Sequence, residues 1–559
     1  MTSASFAIGI DFGTESGRAL LLDLGSGEEV AVAEVRYPHG VLDRVLPETG
    51  EELPGDWALQ DPDDWALVVE SAIPEVLARA GIAEEQVVGL GVDFTSCTVL
   101  PVTADGVPLC TLPQWRARRH AWPKLWKHHA AQPVADRLNE VAHAREEDFL
   151  SRYGGKISSE WYFPKLIELW SEDREIYDAA YGFIEATDWI VWHLTGNERR
   201  NTCTAGYKAL WSPQEGLPPV DYFEAAYPGF SNPGEKLGTT FFPLGTRAGT
   251  LRPELAARVG LPESVAVAVG NVDSFVSTPG AGVLRSETFL MVVGTSICDL
   301  VVHPEEIRLP GITGVAKDGI LPGVYGYEAG QTAVGDMLAW FVDEMARKEE
   351  LGDDPYEELE RRAARFRPGE TGLVALDWWN GNRTILADAD LTGVIAGLTL
   401  QTTQEQIYRA LIESIAFGNR RIMENFEEYG LALDEIVACG GIAEKSPLTM
   451  QIIADTSGLE VHVPASSQIP ARGAALFGAV AAGAFSDIAA AIDATRPAPA
   501  STYSPDPEAG AVYNAVYGIY RSLYEMLGRS QVELLHNLKR ERQSVVAQPQ
   551  TAELKEARQ

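Results

Sequence analysis

Short apolar runs that break into glycine and hydroxyl residues recur along this chain, with the length and boundaries of β-strands. Residues 6–10 form the first run; the polar stretch 11–18 follows, and residues 19–24 are apolar again. That pattern predicts a hairpin whose tip is the glycine-bearing segment. A second unit of the same kind lies far downstream: residues 288–293, the turn Gly294-Thr295-Ser296, then residues 298–302. Two further segments correspond in the same order. Residues 87–92 run into Asp93-Phe94-Thr95-Ser96, and residues 436–439 run into Gly440-Gly441-Ile442-Ala443. Matching order predicts two related α/β halves facing each other across a cleft. Chance recurrence of strand-turn-strand units, common in large α/β chains, is the alternative the residues alone leave open.

Helical periodicity fills the intervals. Asp61-Pro62 supplies an N-cap and a first-turn proline, with Trp65, Val68, Val69, Ile73 and Val76 at helical spacing behind them. Thr402 and Glu405 have the spacing of a capping box ahead of Ile407, Leu411, Ile415 and Phe417. A last helix is predicted over about residues 507–538, with Val512, Val516, Ile519 and Leu523 on one face. The domains expected are 1–262 and 263–540. Residues 541–559 lack a sustained apolar face and are expected to form a flexible tail.

Length and charge narrow the field. A chain of 559 residues exceeds one ordinary core. A formal charge of −35 repels phosphate backbones and anionic lipid, which argues against nucleic-acid or membrane partners. It leaves room for a small anion held by backbone amides and a metal ion; solubility is the plain explanation of the acidity. Five scattered cysteines without a C-x-x-C pair suggest reduced thiols. No apolar run approaches the roughly 18 residues of a membrane span, and the first residues lack the regions of a signal peptide. The expected location is cytoplasmic.

The chemistry concentrates at the turns. In Asp11-Phe12-Gly13-Thr14-Glu15-Ser16-Gly17-Arg18, Gly13 allows a close backbone approach to a phosphate. Thr14 and Ser16 offer hydroxyls, and Arg18 a cation for a phosphate oxygen. Asp11, ending a strand, is suited to magnesium, directly or through its water shell. An Asx-type turn accounts for the same motif without a ligand. In the second copy, Val292 stands where Asp11 stands and Asp299 replaces Arg18, so only the first hairpin carries a metal carboxylate and a cation. Before that copy, residues 267–269 lead through Gly270-Asn271-Val272 to Asp273, a strand-end carboxylate able to accept a hydroxyl proton or to cap a helix. Gly440-Gly441, followed by Ser446 and Gln451, offers a flat backbone platform for a planar base. There is no Rossmann fingerprint and no Walker loop, since Gly155-Lys156 is followed by Ile157. His128-His129 lacks further ligand spacing and reads as an exposed helical pair.

Taken together, Asp11-Phe12-Gly13-Thr14, Gly270-Asn271-Val272-Asp273, Gly294-Thr295-Ser296 and Gly440-Gly441 resemble, in order, the motifs of the FGGY carbohydrate kinases, over about residues 6–535. The resemblance implies two ribonuclease-H-like domains of the actin, Hsp70 and hexokinase superfamily, each a mixed sheet with helices, with ATP and sugar in the cleft. The stretches GVDFTSCTVLP, LWKHHAA, SSEWYFPK, CTAGYKALW, YEAGQTAVGD and LDWWNGNRT are similar to members of that family that phosphorylate ribulose. By this resemblance Ser96, Lys208, Asp273 and Glu328 line the sugar site, and Gln331, Gly441 and Ala443 lie near the nucleotide. The implied reaction is ATP- and magnesium-dependent phosphorylation at the terminal hydroxyl, with Asp273 as base and Thr14, Gly294 and Thr295 at the phosphates. Its implied place is the catabolism of L-arabinose and other pentoses. Other pentuloses, polyols or glycerol are alternative substrates, and a non-catalytic ATP switch is the alternative of another class. A homodimer is admitted by this reading; nothing in the residues selects it.

Overall fold

The computed structural model of the chain describes residues 5–547. The first sheet is built from β1 (Phe6–Phe12), β2 (Ser16–Asp23), β3 (Glu29–Arg36), β4 (Val87–Phe94), β5 (Arg247–Thr250), β6 (Ala266–Ala268) and β7 (Asn271–Val272). Its order is β3-β2-β1-β4-β6-β5, with β7 paired to the far end of β4. The second sheet contains β8 (Thr288–Val293), β9 (Ile297–His303), β10 (Gly314–Lys317), β11 (Tyr325–Gln331), β12 (Glu435–Cys439), β13 (Glu460–Pro464) and β14 (Pro499–Tyr503), in the order β10-β11-β9-β8-β12-β13-β14.

Duplication is visible strand by strand. In the first sheet β1–β2, β2–β3 and β6–β5 are antiparallel, whereas β1–β4 and β4–β6 are parallel. In the second, β8–β9, β9–β11 and β13–β14 are antiparallel, whereas β8–β12 and β12–β13 are parallel. The sequence reading of two related halves is therefore met, with β10 as an added edge. Strands β6 and β7 lie beyond residue 262 yet belong to the first sheet. The strand that leads to Asp273 is thus part of the first half, and the sheets divide between residues 272 and 288 rather than at 262.

The helices that matter to the cleft are α1 (Pro62–Ala80), α2 (Thr202–Lys208), α3 (Asp273–Gly280), α4 (Gly335–Trp340), α5 (Gln404–Glu428), α6 (Gly441–Lys445), α7 (Ile469–Ala481), α8 (Pro507–Glu525) and α9 (Glu533–Ala547). Asp61 caps α1 by accepting from Asp63 N, as its sequence predicts. The box on α5 falls one residue later than predicted, at Thr403 and Gln406, because the Thr402 hydroxyl accepts from Thr399 N instead. The predicted last helix is two helices. The break includes Gly528, which lies against Trp378 and Leu386, and α9 runs on to residue 547, through the start of the stretch expected to be a tail. Residues 548–559 of that tail lie outside the described residues. No described helix is long and apolar enough to cross a membrane, and all five cysteines are free.

The halves share a core. Helix α7 packs its alanines and Phe477 among Ala7 and Leu22 of the first sheet, Leu290 and Leu300 of the second, and Phe275 of α3. Where it crosses β1 and β4 the backbones nearly touch. A methyl built on Gly9 would come within 1.7 Å of Ala471 O, and one on Gly91 within 1.9 Å of Ala474 O. Neither position has space for any side chain. This glycine seam closes one end of the interface and leaves the hairpin tips at the other.

Candidate active site

The centre of the site is a row of strand ends. Asp11 on β1 is in register with Asp93 on β4, and Asp93 with Asn271 on β7. Side chains in register on neighbouring strands share a face about 4.8 Å apart, so the topology sets two carboxylates side by side. Asp11 is 5% exposed and Asp93 wholly buried. Burial raises the pKa of Asp11, while Arg18, opposite it across the hairpin with Nε at 3.4 Å, pulls the other way. Asp93 is pushed up further, first by burial and then by the charge of Asp11.

The first hairpin tip is braced from three sides. Tyr37 OH donates to Gly13 O at 3.1 Å, Gln60 Nε2 to Thr14 O at 2.8 Å, and Trp126 Nε1 to Thr14 Oγ1 at 3.1 Å. Ser16, predicted to face a phosphate with its hydroxyl, donates it to Glu34 on β3 at 2.8 Å, so partly exposed Gly13 and Thr14 and exposed Glu15 form the open part of the tip. In the second tip Gly294 and Thr295 are exposed and Ser296 partly so. The carbonyls of Gly294 and Thr295 accept from Gly335 N and Val334 N at the start of α4, which ties the tip to the second half.

Register corrects the equivalence proposed for the second hairpin. Val292 pairs with Cys298, so Cys298 occupies the place of Arg18. Asp299 pairs with Met291, is fully buried, and faces Asn419 Nδ2 of α5 at 3.3 Å; burial raises its pKa to about 8. The asymmetry between hairpins persists, but Asp299 plays no part in the cleft.

Gly440 begins α6 at φ 91°, a value that glycine adopts without strain, and stands so near β8 that a Cβ would lie 2.6 Å from Val293 O. Gly441 beyond it is open, with no atom within 4 Å of where its Cβ would be, whereas Ala443 is buried beneath. Gln331 lies in register with Ile297, directly behind the second hairpin tip. Its Nε2 donates to Asp377 Oδ2 at 2.8 Å and to Ile415 O at 3.1 Å, inside the second half. The segment LDWWNGNRT does related work: Thr384 Oγ1 accepts from Gly330 N, and Gly381 O from Thr332 Oγ1, which fixes the end of β11.

On the sugar side, Lys208 ends α2 and its Nζ donates to Glu328 Oε2 of β11 at 2.7 Å, a nearly buried bridge from one half to the other. The Glu328 carboxylate holds the Lys208 ammonium charged against the cost of burial. Asp273 is the first residue of α3, and its Oδ1 accepts from Ser274 N at 2.6 Å. Its pKa rises to about 7, mainly by burial and then by Asp11; Lys208 and Glu328 are close enough to act on it in opposite directions. Ser96 precedes Cys97, a residue at φ 59° whose carbonyl accepts from Lys165 Nζ at 2.7 Å and whose thiol feels Lys208. Asp273 thus stands within reach of Asp11 and of the Lys208–Glu328 pair, and the loop of Ser96 and Cys97 borders Lys208.

His128 corrects another expectation. It is buried outside any helix, 3.0 Å from Glu168, which also receives Lys124 Nζ at 2.6 Å. That network anchors the strand-like segment that presents Trp126 to Thr14. Among the described residues no three His, Cys, Asp or Glu side chains are grouped as metal ligands. Asp93, Gln60, Tyr37 and Trp126 were missed from sequence. Only Asp93 left a signal, an acid at the end of a strand that the duplication pairs with the Asp11 strand.

Comparison with known proteins identifies the family and the fold. Residues 6–280 match the N-terminal domain of the FGGY family of carbohydrate kinases, and residues 289–482 its C-terminal domain. A ribulokinase of Anoxybacillus flavithermus is 49% identical over 547 residues, covering 96% of each protein. A ribulokinase of Mycolicibacterium smegmatis is 46% identical over 534 residues, covering 94% of each. The solved xylulose kinase from Rhodospirillum rubrum superposes with a TM-score of 0.77 at 24% identity, over 95% of this chain and all of that one. Plasmodium falciparum glycerol kinase with ADP gives 0.74 at 16%, over 93% and 98%. These two likenesses concern the fold.

Proposed function

This chain belongs to the FGGY family of carbohydrate kinases, and from that premise we propose that it transfers the γ-phosphoryl group of ATP to the terminal hydroxyl of ribulose, yielding ribulose 5-phosphate. The observation that carries the reading is Asp273 at the first turn of α3, within electrostatic reach of Asp11 and of the buried Lys208–Glu328 pair. Near-full-length identity to ribulokinases supports ribulose over other sugars.

Each group has a task that its geometry suits. Asp273, with a pKa near neutrality, accepts the hydroxyl proton as that oxygen attacks the γ-phosphorus in line. Lys208 and Glu328 offer a donor and an acceptor to the sugar hydroxyls, and Ser96 a further hydroxyl from the bordering loop. Thr14 and Gly13 on one tip, and Gly294, Thr295 and Ser296 on the other, present amides and hydroxyls to the phosphates; Arg18 adds a positive charge. Gly440 and Gly441 leave a flat opening for the base, underlain by Ala443. Closing the halves about the shared core excludes water as a competing acceptor.

Magnesium fits the residues present. The donors at the strand ends are carboxylate oxygens, the hard ligands magnesium prefers, and Asp93 holds two buried oxygens that receive no hydrogen bond. Asp11 would hold the ion, which when bound would neutralise charge on the phosphate oxygens. The test of the reading is an ADP-release assay across L-ribulose, D-ribulose, D-xylulose, ribitol and glycerol. Stimulation by a ribulose above the other acceptors is expected; no stimulation by any pentulose would refute the reading.

A further inference from the structure

We propose that Asp93 is a second carboxylate of the magnesium site, facing the cation together with Asp11 and setting how tightly it is held. The inference rests on the magnesium-nucleotide part of the function proposed above.

Three observations lead to it. Asp93 lies in the middle of the row, in register with Asp11 on one side and Asn271 on the other, so its side chain rises from the sheet where the hairpin tip begins. It is wholly buried, and neither carboxylate oxygen receives a hydrogen bond. Buried carboxylates otherwise find donors or cations, because leaving one bare costs several kcal/mol. Arg18 is shared between Asp11, 3.4 Å from its Nε, and Asp93, and Lys208 is bound to Glu328. Asn271 turns its Oδ1 to Val272 N, and its Nδ2 has no partner.

Asp11 and Asp273 act on Asp93 with negative charge, Arg18 with positive, and the Tyr37 phenol is close enough to feel it, so three carboxylates counting Asp93 stand against one cation. Such a row lacks a positive charge that the chain does not supply. The donor set is oxygen alone, with no imidazole or thiolate, which selects a hard divalent ion. Magnesium is commonly held by one or two carboxylates, with substrate phosphates and water completing its shell. Asp11 and Asp93, adjacent in register, would supply two such carboxylates.

The competing account is that Asp93 carries a proton and donates it to Asp11, a contact indifferent to the metal. The two accounts part on metal affinity. Mn2+ serves as the probe, its free signal followed by electron paramagnetic resonance in the presence of saturating ADP. Asp93→Asn keeps the size and removes the charge, and should weaken Mn2+ binding about tenfold or more, the scale seen when groups supporting a metal site are lost. ADP affinity in EDTA should stay unchanged, which separates metal binding from nucleotide binding. Unchanged or tighter Mn2+ binding by Asp93→Asn overturns the proposal. Asp93→Ser, read the same way, decides the matter if the asparagine variant does not fold. Because the readout is metal binding, a protein with Asp93-dependent affinity but no sugar-dependent ADP release would keep this inference and lose the kinase reading.

Discussion

Replacing Asp273 by asparagine should move activity and stability in opposite directions. The side chain keeps its volume, and its Oδ1 can still accept from Ser274 N. What disappears is the proton acceptor and a negative charge beside Asp11. Loss of a positioned base should lower turnover about 100-fold or more, or ~2.7 kcal/mol of barrier. The same charge is expensive in the resting protein. Burial and Asp11 lift the folded pKa to about 7, above the ordinary aspartate value of 3.8. A carboxyl with a raised folded pKa contributes most stability when protonated. That contribution is complete below the unfolded pKa and lost as pH rises toward 7. The shift sets a ceiling of ~4 kcal/mol, and partial access to solvent from the cleft reduces it to about 2 kcal/mol. Asp273→Asn should therefore melt at the wild-type temperature near pH 4 and about 2 °C higher at pH 8, the shift that about 2 kcal/mol makes in a chain of this length. Scanning calorimetry of the metal-free protein at both pH values, beside a coupled ADP-release assay, reads the two effects. Near-wild-type turnover would remove the base assignment, and equal melting at pH 8 would refute the burial argument.

Other expectations follow from the same geometry. Trp126→Phe deletes the donor to Thr14 Oγ1; steady-state kinetics should show the KM for ATP raised about fivefold, the scale of one hydrogen bond, with the sugar KM unchanged. Glu328→Gln retains a hydrogen-bond acceptor for Lys208 but removes its countercharge, so the KM for the pentulose should rise about tenfold or more while the KM for ATP holds. Asp299→Asn relieves a carboxyl whose pKa burial has pushed to about 8; thermal melts should show stabilisation that grows from pH 4 to pH 8, and no change in catalysis.

Much of this arrangement can be read from the residues because turns advertise themselves. Glycine and threonine at the hairpin tips are short-range signals, and so are the strands that precede Asp273 and Gly440. Interactions decided by register or by distant partners leave no such mark. Whether Asp299 or Cys298 matches Arg18 depends on a one-residue difference in loop length. Gln331 looks like a polar residue at a strand end until α5 and Asp377 enclose it. His128 reads as a surface histidine until Glu168 and Lys124 are brought to it from other parts of the fold. Asp93 needed the knowledge that β1 and β4 are neighbours, which connectivity alone does not give.

The glycine seam has a consequence for how the chain is made. Gly9 and Gly91 are covered by α7, and Arg472 on that helix donates to Gly27 O at 2.8 Å across 445 positions. During synthesis β1 and β4 must therefore wait for a helix made several hundred residues later before their inner face is sealed. At about 5–20 residues per second that interval is roughly 20–90 s. During it the β1–β4 face, stripped of side chains at its glycines, has no cover of its own. Contacts this remote in sequence are slow to form and expose such surfaces to association with other chains. The amino-terminal half is thus finished by the carboxyl-terminal half, and the two fold as one unit.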